Sequence, residues 1–218
     1  DFAKPSDFIP GGDPHSSSFW ISFAPIWLLA PFLEQLSLSY PDRLNGFRGI
    51  IACSSTSAIT KRFAFNSFDR RLVSMLSSAE EKLFSTCRAL GVSCIILQPT
   101  LIYGQVGSYG DQNLSYLKSL LRYLPVLPIP AKTGLRQPIH ACQLAAVALN
   151  LFQRLQSSGW DTPLSMRIAV GGDTTLTYRE MLDTLQQHQH KSCFLHHCVL
   201  IAIPNSIFFL MASPLLLF

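Results

Sequence analysis

Three short, largely apolar runs constrain the fold more than any other feature of this sequence, because the segments between them are long enough to form helices. The runs lie near residues 20–24, 49–53 and 92–98. The third is almost continuously apolar, which is typical of a strand in a parallel sheet covered on both faces. Between the runs, the sequence suits a helix after Pro25 and another over residues 69–90 that stops at Gly91. This alternation predicts βαβ units, with the three runs as neighbouring strands of one parallel sheet.

The same reading continues beyond the third run. Helices are predicted over residues 114–124 and 142–155, and a strand over residues 166–170, with a Pro-rich connection over residues 125–133. A last helix is predicted from Thr177 to Gln187. Thr177 is its N-cap and Glu180 stands at the capping-box position.

Composition excludes several classes of protein. The chain has 218 residues, 48% of them hydrophobic, which is enough for one sizeable core. Its formal charge of +4 is scattered, with no basic run that would follow a nucleic-acid backbone, so no nucleic-acid partner is expected. The six cysteines lie mostly in apolar runs, which favours reduced thiols and a cytoplasmic setting.

The apolar run over residues 199–218 allows two interpretations. Its length is near the ~20 residues that a membrane-spanning helix needs, so a membrane-attached accessory protein is one hypothesis. However, Pro204 and Asn205 favour a helix start, and Pro214 a break. We therefore predict a short buried strand followed by a short helix.

Three motifs, in this order and spacing, carry a resemblance to a known family. They are Ala52-Cys53-Ser54-Ser55-Thr56, the segment from Ile95 to Gly104 (IILQPTLIYG), and the segment from Arg136 to Ala145 (RQPIHACQLA). Together they resemble the extended short-chain dehydrogenase/reductase family, which contains the NAD-dependent epimerases and dehydratases of nucleotide sugars. The resemblance covers roughly residues 19–185, and its strength lies in the combination, because each motif alone is weak.

The resemblance implies an α/β fold with a Rossmann-like parallel sheet and a small α/β substrate-binding lobe. We expect a loop over residues 1–18, a partial Rossmann-like NAD(P)-binding domain over 19–110, and a mixture of substrate lobe and Rossmann-completing elements over 111–218. The family's first βαβ units and their pyrophosphate-binding turn have no counterpart in this sequence, which suggests an N-terminally truncated member. NAD or NADP is the implied cofactor, with weak or no binding expected of this chain alone.

The resemblance also implies site residues. The implied catalytic residues are Thr56, Ser55 and Lys61; the cofactor-binding residues are Ala24, Pro25, Ser54, Pro99 and Thr100; the substrate-binding residues are Tyr103, Arg136 and His140. Arg136 is the strongest of these, because a forked guanidinium suits a diphosphate. For the hydroxyls near Thr56, a Ser/Thr-rich turn is the alternative to a catalytic role, and for Lys61 it is a solvated surface position.

The sequence departs from the family where its chemistry is usually located. The family's catalytic Tyr is followed four residues later by a Lys, and no Tyr of this chain has a Lys at that spacing. The Lys position falls near Leu76 or Ser77, while Gln98 and Gln143 stand where the family usually has Arg and Asp. A GxxGxxG pattern over residues 104–110 has no acidic residue about 20 positions later, so we interpret it as a loop rather than a dinucleotide site.

A cluster of histidines and cysteines near the C-terminus invites a metal-site hypothesis. Its members are His188, His190, Cys193, His196, His197 and Cys198. Their spacing matches no zinc finger and apolar residues interleave with them, so we expect no metal site.

The leading hypothesis is an NAD(P)-dependent epimerase/dehydratase-like protein that acts on a nucleotide-sugar or related substrate, with reduced activity. A non-catalytic member that binds a nucleotide or a protein is the first alternative, favoured by the missing Tyr and Lys. The expected partner is a small-molecule nucleotide-sugar, and a homodimer is an assembly that the resemblance leaves open.

Overall fold

A computed structural model describes most of the chain as two compact units. The described residues are 4–5, 17–64, 66–106, 109–157, 162–190 and 198–212. The first unit combines residues 1–100 with 142–170, and the second combines 101–141 with 171–218. The first unit therefore takes in residues beyond the boundary at residue 110 that was expected from the sequence. Most of the expected loop over residues 1–18 lies outside the described residues.

The described part of the chain contains alternating strands and helices. The strands are β1 (Ser18–Ser22), β2 (Phe47–Cys53), β3 (Ser93–Pro99), β4 (Ile102–Tyr103), β5 (Gln105–Val106), β6 (Tyr109–Gly110), β7 (Val126–Pro130), β8 (Ile139–His140), β9 (Ser165–Val170) and β10 (Val199–Ile203). The helices are α1 (Ile26–Ser39), α2 (Ser57–Thr60), α3 (Ser67–Ala89), α4 (Gln112–Tyr123), α5 (Ala141–Ser157), α6 (Tyr178–His190) and α7 (Asn205–Ala212), with a 3₁₀ turn at Pro41–Leu44.

The first unit is built on a parallel sheet. Its order is β1-β2-β3-β9, and each neighbouring pair is parallel. Helices connect consecutive strands, as parallel pairing requires. The prediction that the three apolar runs form neighbouring parallel strands is confirmed, as is the α/β class.

Two helices of the first unit close its core. The buried faces of α1 and α3 pack with side chains of β2 and β3 in one apolar cluster, which includes Leu33, Ile50, Leu83 and Ile96. Gly91 stops α3 as predicted: its φ of +67° is the left-handed conformation that glycine adopts at the end of a helix.

A buried carboxylate joins α3 to the sheet. Glu80 is 2% exposed, and its oxygens accept hydrogen bonds from Ser54 Oγ, from Gln98 Nε2 at 3.0 and 3.1 Å, and from Arg167 Nε at 2.7 Å. The Arg167 guanidinium also packs over the Phe84 ring, 4.6 Å from its centroid. These partners lie on or directly after three different strands, so one side chain of α3 contacts the sheet at several points.

The described residues of the second unit form short strand pairs and three helices. β4 pairs with β8 and β7 with β10, both in parallel, while β5 and β6 are antiparallel. Its apolar core comes from α4, β7, α6 and the C-terminal strand. The buried members are Leu121, Ile129, Leu182, Cys198 and Leu200.

One element of the second unit corrects the sequence analysis. Residues 125–133 were expected to form a Pro-rich connection, but they contain β7. The Ala131 N–H donates to the Ile203 carbonyl at 2.8 Å. Because the directions of backbone groups alternate along a strand, the backbone nitrogens of Pro128 and Pro130 point away from β10. Because both prolines lack an N–H only on that far side, the pairing with β10 loses no donor.

Within the described residues the C-terminal apolar run divides into a strand and a helix as predicted, but the strand is not buried as expected, because Leu200 is buried while Val199 and Ile201 are exposed. β10 is followed by Pro204, and α7 begins at Asn205. The Asn205 side chain accepts from the Lys132 N–H at 3.0 Å and donates to the Lys132 carbonyl at 2.8 Å, which ties α7 to the end of β7. Within the part of the chain that the structure describes, no helix has both the length and the apolarity needed to cross a membrane.

The capping box at the start of α6 is also confirmed. The Thr177 N–H donates to Glu180 Oε2 at 2.7 Å, and the Glu180 N–H donates to Thr177 Oγ1 at 3.2 Å. Two N–H groups that the helix leaves unpaired are therefore satisfied reciprocally.

The Glu80 network generates a stability prediction. Arg167→Gln leaves a buried carboxylate without its cation, so the free energy of unfolding should fall by about 3 kcal/mol in urea titrations. Arg71→Gln, on an exposed position of α3, is the matched control and should change it by less than about 0.5 kcal/mol. If the two variants unfold alike, the carboxylate does not depend on Arg167.

Candidate functional site

The candidate cofactor and catalytic residues of the first unit meet at one edge of its sheet. Because all four strands are parallel, their carboxyl ends share that edge, which is where ligands bind in open α/β sheets. Ala24 and Pro25 follow β1, Ser54 to Thr56 follow β2, and Pro99 and Thr100 lie at the end of β3.

The three hydroxyls after β2 are engaged within the protein. Ser54 Oγ donates to Glu80, Ser55 Oγ accepts from the Ser57 N–H at 3.1 Å, and Thr56 Oγ1 donates to the Pro99 carbonyl at 3.2 Å. A hydroxyl has one proton to donate, so Ser54 and Thr56 could donate to a ligand only by giving up these bonds. The geometry matches the Ser/Thr-rich turn that was the alternative to a catalytic role.

Main-chain donors at the same edge are also engaged. The Ala24 N–H donates to Ser22 Oγ at 3.3 Å, the Thr56 N–H to the Pro99 carbonyl at 3.0 Å, and the Thr100 N–H to the Val170 carbonyl at 3.0 Å. Pro25 has no N–H, and its carbonyl accepts from the first turn of α1. The main-chain N–H groups of Ala24, Thr56 and Thr100 thus have acceptors within the chain, and the cofactor-binding role of these residues stays a prediction.

Lys61 is held in an ion pair. It follows α2, and its Nζ lies 2.7 Å from Asp69 Oδ1 in the first turn of α3. The hydrogen bonds from Lys61 and from Asn66 hold the pKa of Asp69 below its ordinary value. The charge of Lys61 thus fastens the start of α3.

The helix position expected for the family's Lys contains no titratable group. Leu76 is 2% exposed and lies in the apolar core, and Leu72, four residues earlier, packs against the same cluster. With Ser77 as the Lys position, the residue four positions earlier is Val73. With either alignment, this helix lacks the tyrosine and lysine side chains of the family.

In the second unit, the structure brings two candidate substrate residues together. Tyr103 and His140 are register partners in the β4–β8 pair, with ring centroids 5.2 Å apart and an edge-to-face angle of 82°. Gly104 leaves room for the His140 ring beside the backbone that follows Tyr103. Its φ is +128°, and a Cβ there would lie 2.6 Å from His140 Nε2.

Tyr103 lines a cavity of about 370 Å³ between α4 and α6. The other described lining residues are Gly104, Gln105, Asp111, Leu114, Ser115, Lys118, Pro138, Thr174, Leu176, Met181, Thr184, Leu185 and His188. Asp111 caps α4 by accepting from the Leu114 N–H at 2.6 Å, and His188 Nδ1 lies 2.8 Å from the Thr184 carbonyl. We refer to this space as the Tyr103 cavity.

Sequence analysis did not identify Asp111 or Lys118 as site residues, and considered His188 only for a metal. The available signal was helical spacing: Ser115 and Lys118, and Thr184 and His188, are three or four residues apart and so share a helix face. Only the packing of α4 beside α6 turns these two faces toward a common cavity.

Arg136 lies elsewhere in the second unit. Its N–H donates to the Leu176 carbonyl at 2.7 Å and its carbonyl accepts from the Leu176 N–H at 2.8 Å, while its side chain is exposed. The guanidinium acts electrostatically on Tyr178, and a Cβ at Gly134 would lie 3.6 Å from Nη1. Arg136 is thus placed beside the start of α6 rather than among the described residues of the Tyr103 cavity.

Half of the histidine and cysteine cluster from which no metal site was expected, namely Cys193, His196 and His197, belongs to the segment 191–197 and lies outside the described residues. Among the residues that are described, no three His, Cys, Asp or Glu side chains are grouped so that they could hold a metal ion. Cys198 is buried in the core of the second unit.

Comparison with known proteins identifies the fold. No protein-family model matches the chain, and no curated protein sequence matches it. Among solved structures, the UDP-N-acetylglucosamine 4-epimerase from Bacillus cereus matches with a TM-score of 0.56 at 13% identity, over 87% of this chain and 64% of that chain. The GDP-mannoheptose C4 reductase from Campylobacter jejuni, with NADP bound, gives 0.57 at 14%, over 82% and 63%. The UDP-glucose 4-epimerase from Thermotoga maritima, with UDP-glucose, gives 0.54 at 13%, over 87% and 64%. This chain has the fold of the NAD-dependent epimerases and dehydratases.

The similarity to these solved structures confirms that the chain has the fold which the sequence motifs implied. The chain spans less than two thirds of the length of each of these three proteins. At 13–14% identity the similarity extends to the fold and not to the chemistry, so activity and ligand must be inferred from this chain's own residues.

The Lys61–Asp69 pair generates a pH prediction. The folded-state pKa of Asp69 is lowered, so its ionised form stabilises the fold at neutral pH and that contribution disappears as the pH falls below about 4. Asp69→Asn should reduce the free energy of unfolding at pH 7 by up to about 1 kcal/mol, and by less at pH 3. Lys61→Met should have a similar effect, and the double variant should cost little more than either single one. A Lys61→Met protein of unchanged stability would show that the ion pair does not fasten α3.

Proposed function

We propose that this chain is a ligand-binding protein of the epimerase/dehydratase fold, which binds a nucleotide-sugar or a related phosphorylated ligand and does not transfer hydride. The observation that carries this proposal is the burial of Leu76, with Leu72 one turn before it, at the place on α3 where the family's Lys would stand.

Alcohol oxidation of the family's kind requires two groups on this helix. A phenol exchanges the proton of the sugar hydroxyl, and an ammonium group beside it stabilises the phenolate. Leucine can do neither. Lys61, the cation nearest in sequence to the hydroxyls after β2, is paired with Asp69 at 2.7 Å.

NAD or NADP would supply or accept a hydride when bound. The donors of Ala24, Ser54, Thr56 and Thr100 are used within the chain, so we propose no step through the cofactor. In this chain, residues at the carboxyl edge of the sheet hold the start of α2 and the Glu80 side chain of α3 in place through hydrogen bonds.

Ligand binding is supported by the second unit. Arg136 is an exposed guanidinium, and guanidinium groups bind phosphate oxygens in a bidentate manner. The Tyr103 cavity adds Lys118 and several hydroxyl groups in a volume typical of ligand sites. The solved structure from Thermotoga maritima that shares this fold contains UDP-glucose, which makes that compound the natural first probe.

A slow epimerase or dehydratase is the second candidate. It is favoured by the edge-to-face packing of the Tyr103 and His140 rings, because a phenol and an imidazole are both side chains that can act in acid/base catalysis. Conversion of UDP-glucose by the unmodified chain with added NAD, abolished by Tyr103→Phe, would establish this candidate and remove the first. The expected homodimer and cytoplasmic location stay predictions, and sedimentation and fractionation check them.

The proposed function makes a prediction about α3. Because Leu76 is a core residue, Leu76→Ala should lower the free energy of unfolding by about 2–5 kcal/mol while the remaining folded protein binds UDP-glucose as before. Ser78→Ala, on an exposed position of the same helix, should change neither quantity.

The combined variant Leu72→Tyr/Leu76→Lys restores the family's residues and is the sharpest test. Here it should place an ammonium in the apolar core, beside a Glu80 carboxylate that already has Arg167 as its cation, and so destabilise the protein without creating activity. A folded double variant that reduces NAD in the presence of UDP-glucose would show that these positions face a cleft, and the proposal would be wrong.

A further inference from the structure

The second unit contains a second cavity, of about 410 Å³, whose walls are almost entirely carbon. Its described lining residues are Tyr116, Leu117, Leu120, Leu127, Pro128, Ile129, Pro130, Tyr178, Ile203 and Phe208. We refer to it as the Tyr178 cavity. Its volume lies in the range of small-molecule sites, which are typically apolar with a few polar groups placed to orient the ligand.

Five elements contribute the described walls of this cavity, and α6 contributes Tyr178. α4 contributes one face through Tyr116, Leu117 and Leu120, and β7 contributes its two prolines and their neighbours. The apolar C-terminal run contributes Ile203 and Phe208. The hydrophobicity of that run is therefore used in part as the wall of a cavity.

A cation stands beside the wall of this cavity. Arg136 is bridged to Leu176 through N···O distances of 2.7 and 2.8 Å, which places it next to Tyr178, two residues further on. Burial raises the pKa of Tyr178, and the positive charge of Arg136 opposes that rise. The guanidinium and the phenol are therefore close enough to interact.

The chemistry of the walls selects the kind of ligand. The many hydroxyls of a nucleoside or a sugar would lose their water here and find few partners, because the polar side-chain groups among the described lining residues are the two tyrosine hydroxyls. An alkyl or isoprenoid-like chain would be favoured in the same space by the release of water from apolar surface. The exposed guanidinium of Arg136 beside the wall favours a ligand that also carries an anion.

We propose that the Tyr178 cavity binds the apolar part of a phosphorylated amphiphile whose anionic head is held by Arg136. The proposal rests on the proposed function in one respect, since it takes Arg136 as the residue that binds phosphate. Among the phosphorylated ligands that the proposed function includes, the inference selects one whose phosphate carries an apolar group.

A chain-length series tests the cavity without any mutation. Methyl, butyl, hexyl and octyl phosphate are titrated into the 218-residue chain by calorimetry, each below its critical micelle concentration. Affinity should rise by up to about fourfold for each methylene that is buried, and level off when the cavity is full. An affinity that does not depend on chain length would overturn the proposal.

Variants then separate the head from the tail. Arg136→Gln should weaken octyl phosphate about ten- to a hundredfold and leave 1-octanol unchanged, and Arg136→Lys should recover part of the loss. Arg122→Gln is the matched control, because Arg122 is an exposed arginine of the same unit, stacked on Tyr123. Leu120→Trp should fill the cavity and weaken both compounds. Tyr116→Ala, at an exposed rim position, provides a second wall variant if the Trp protein fails to fold.

UDP-glucose distinguishes failure of this inference from failure of the proposed function. If UDP-glucose binds in an Arg136-dependent manner and octyl phosphate does not bind, the inference is wrong and the proposed function stands. If neither compound binds, both fail. Equal weakening of octyl phosphate by Arg136→Gln and Arg122→Gln would show a general charge effect and would also overturn the inference.

Discussion

The carboxylate of Glu80 is the constraint on which the first unit depends. A charged group this deeply buried is tolerated only when it is paired and its oxygens are hydrogen-bonded. Ser54, Gln98 and Arg167 meet that requirement from the ends or interiors of three strands. Gln98 contributes an amide to this network, and the cation comes from Arg167 on β9.

This arrangement has a consequence for the candidate chemistry. Position 76 lies four residues before Glu80 and therefore on the same face of α3. Since Glu80 is fastened inward, position 76 also faces inward, and Leu76 fills core volume there. Ser54, next to the turn that would deliver a catalytic hydroxyl, donates its proton to the same carboxylate. Stabilising the fold and serving a cofactor are thus competing uses of one set of groups, and the contacts of this chain favour the first.

The sequence predicted the features that depend on local pattern. The three neighbouring parallel strands, the stop at Gly91, the capping box at Thr177 and the start of α7 all follow from periodicity or from a residue's backbone preference. β7 was missed because Pro128 and Pro130 suggest a connection, and only a partner strand more than 70 residues away shows that their missing donors face outward. The Arg167–Glu80 pair was missed for the same reason. The residues assigned by resemblance did gather at one edge of the sheet, but their hydrogen bonds could not be predicted from the motifs.

Helix α4 links the two cavities of the second unit. At 100° per residue, Leu114, Ser115 and Lys118 project within about 100° of one another, and Tyr116, Leu117 and Leu120 project within another such arc on the opposite side. The first set lines the Tyr103 cavity and the second lines the Tyr178 cavity. One helix therefore presents a partly polar wall to one space and an apolar wall to the other. Since opposite faces share little except the backbone, substitutions on one face should be nearly independent of the other, so polar and apolar recognition in this unit can vary separately.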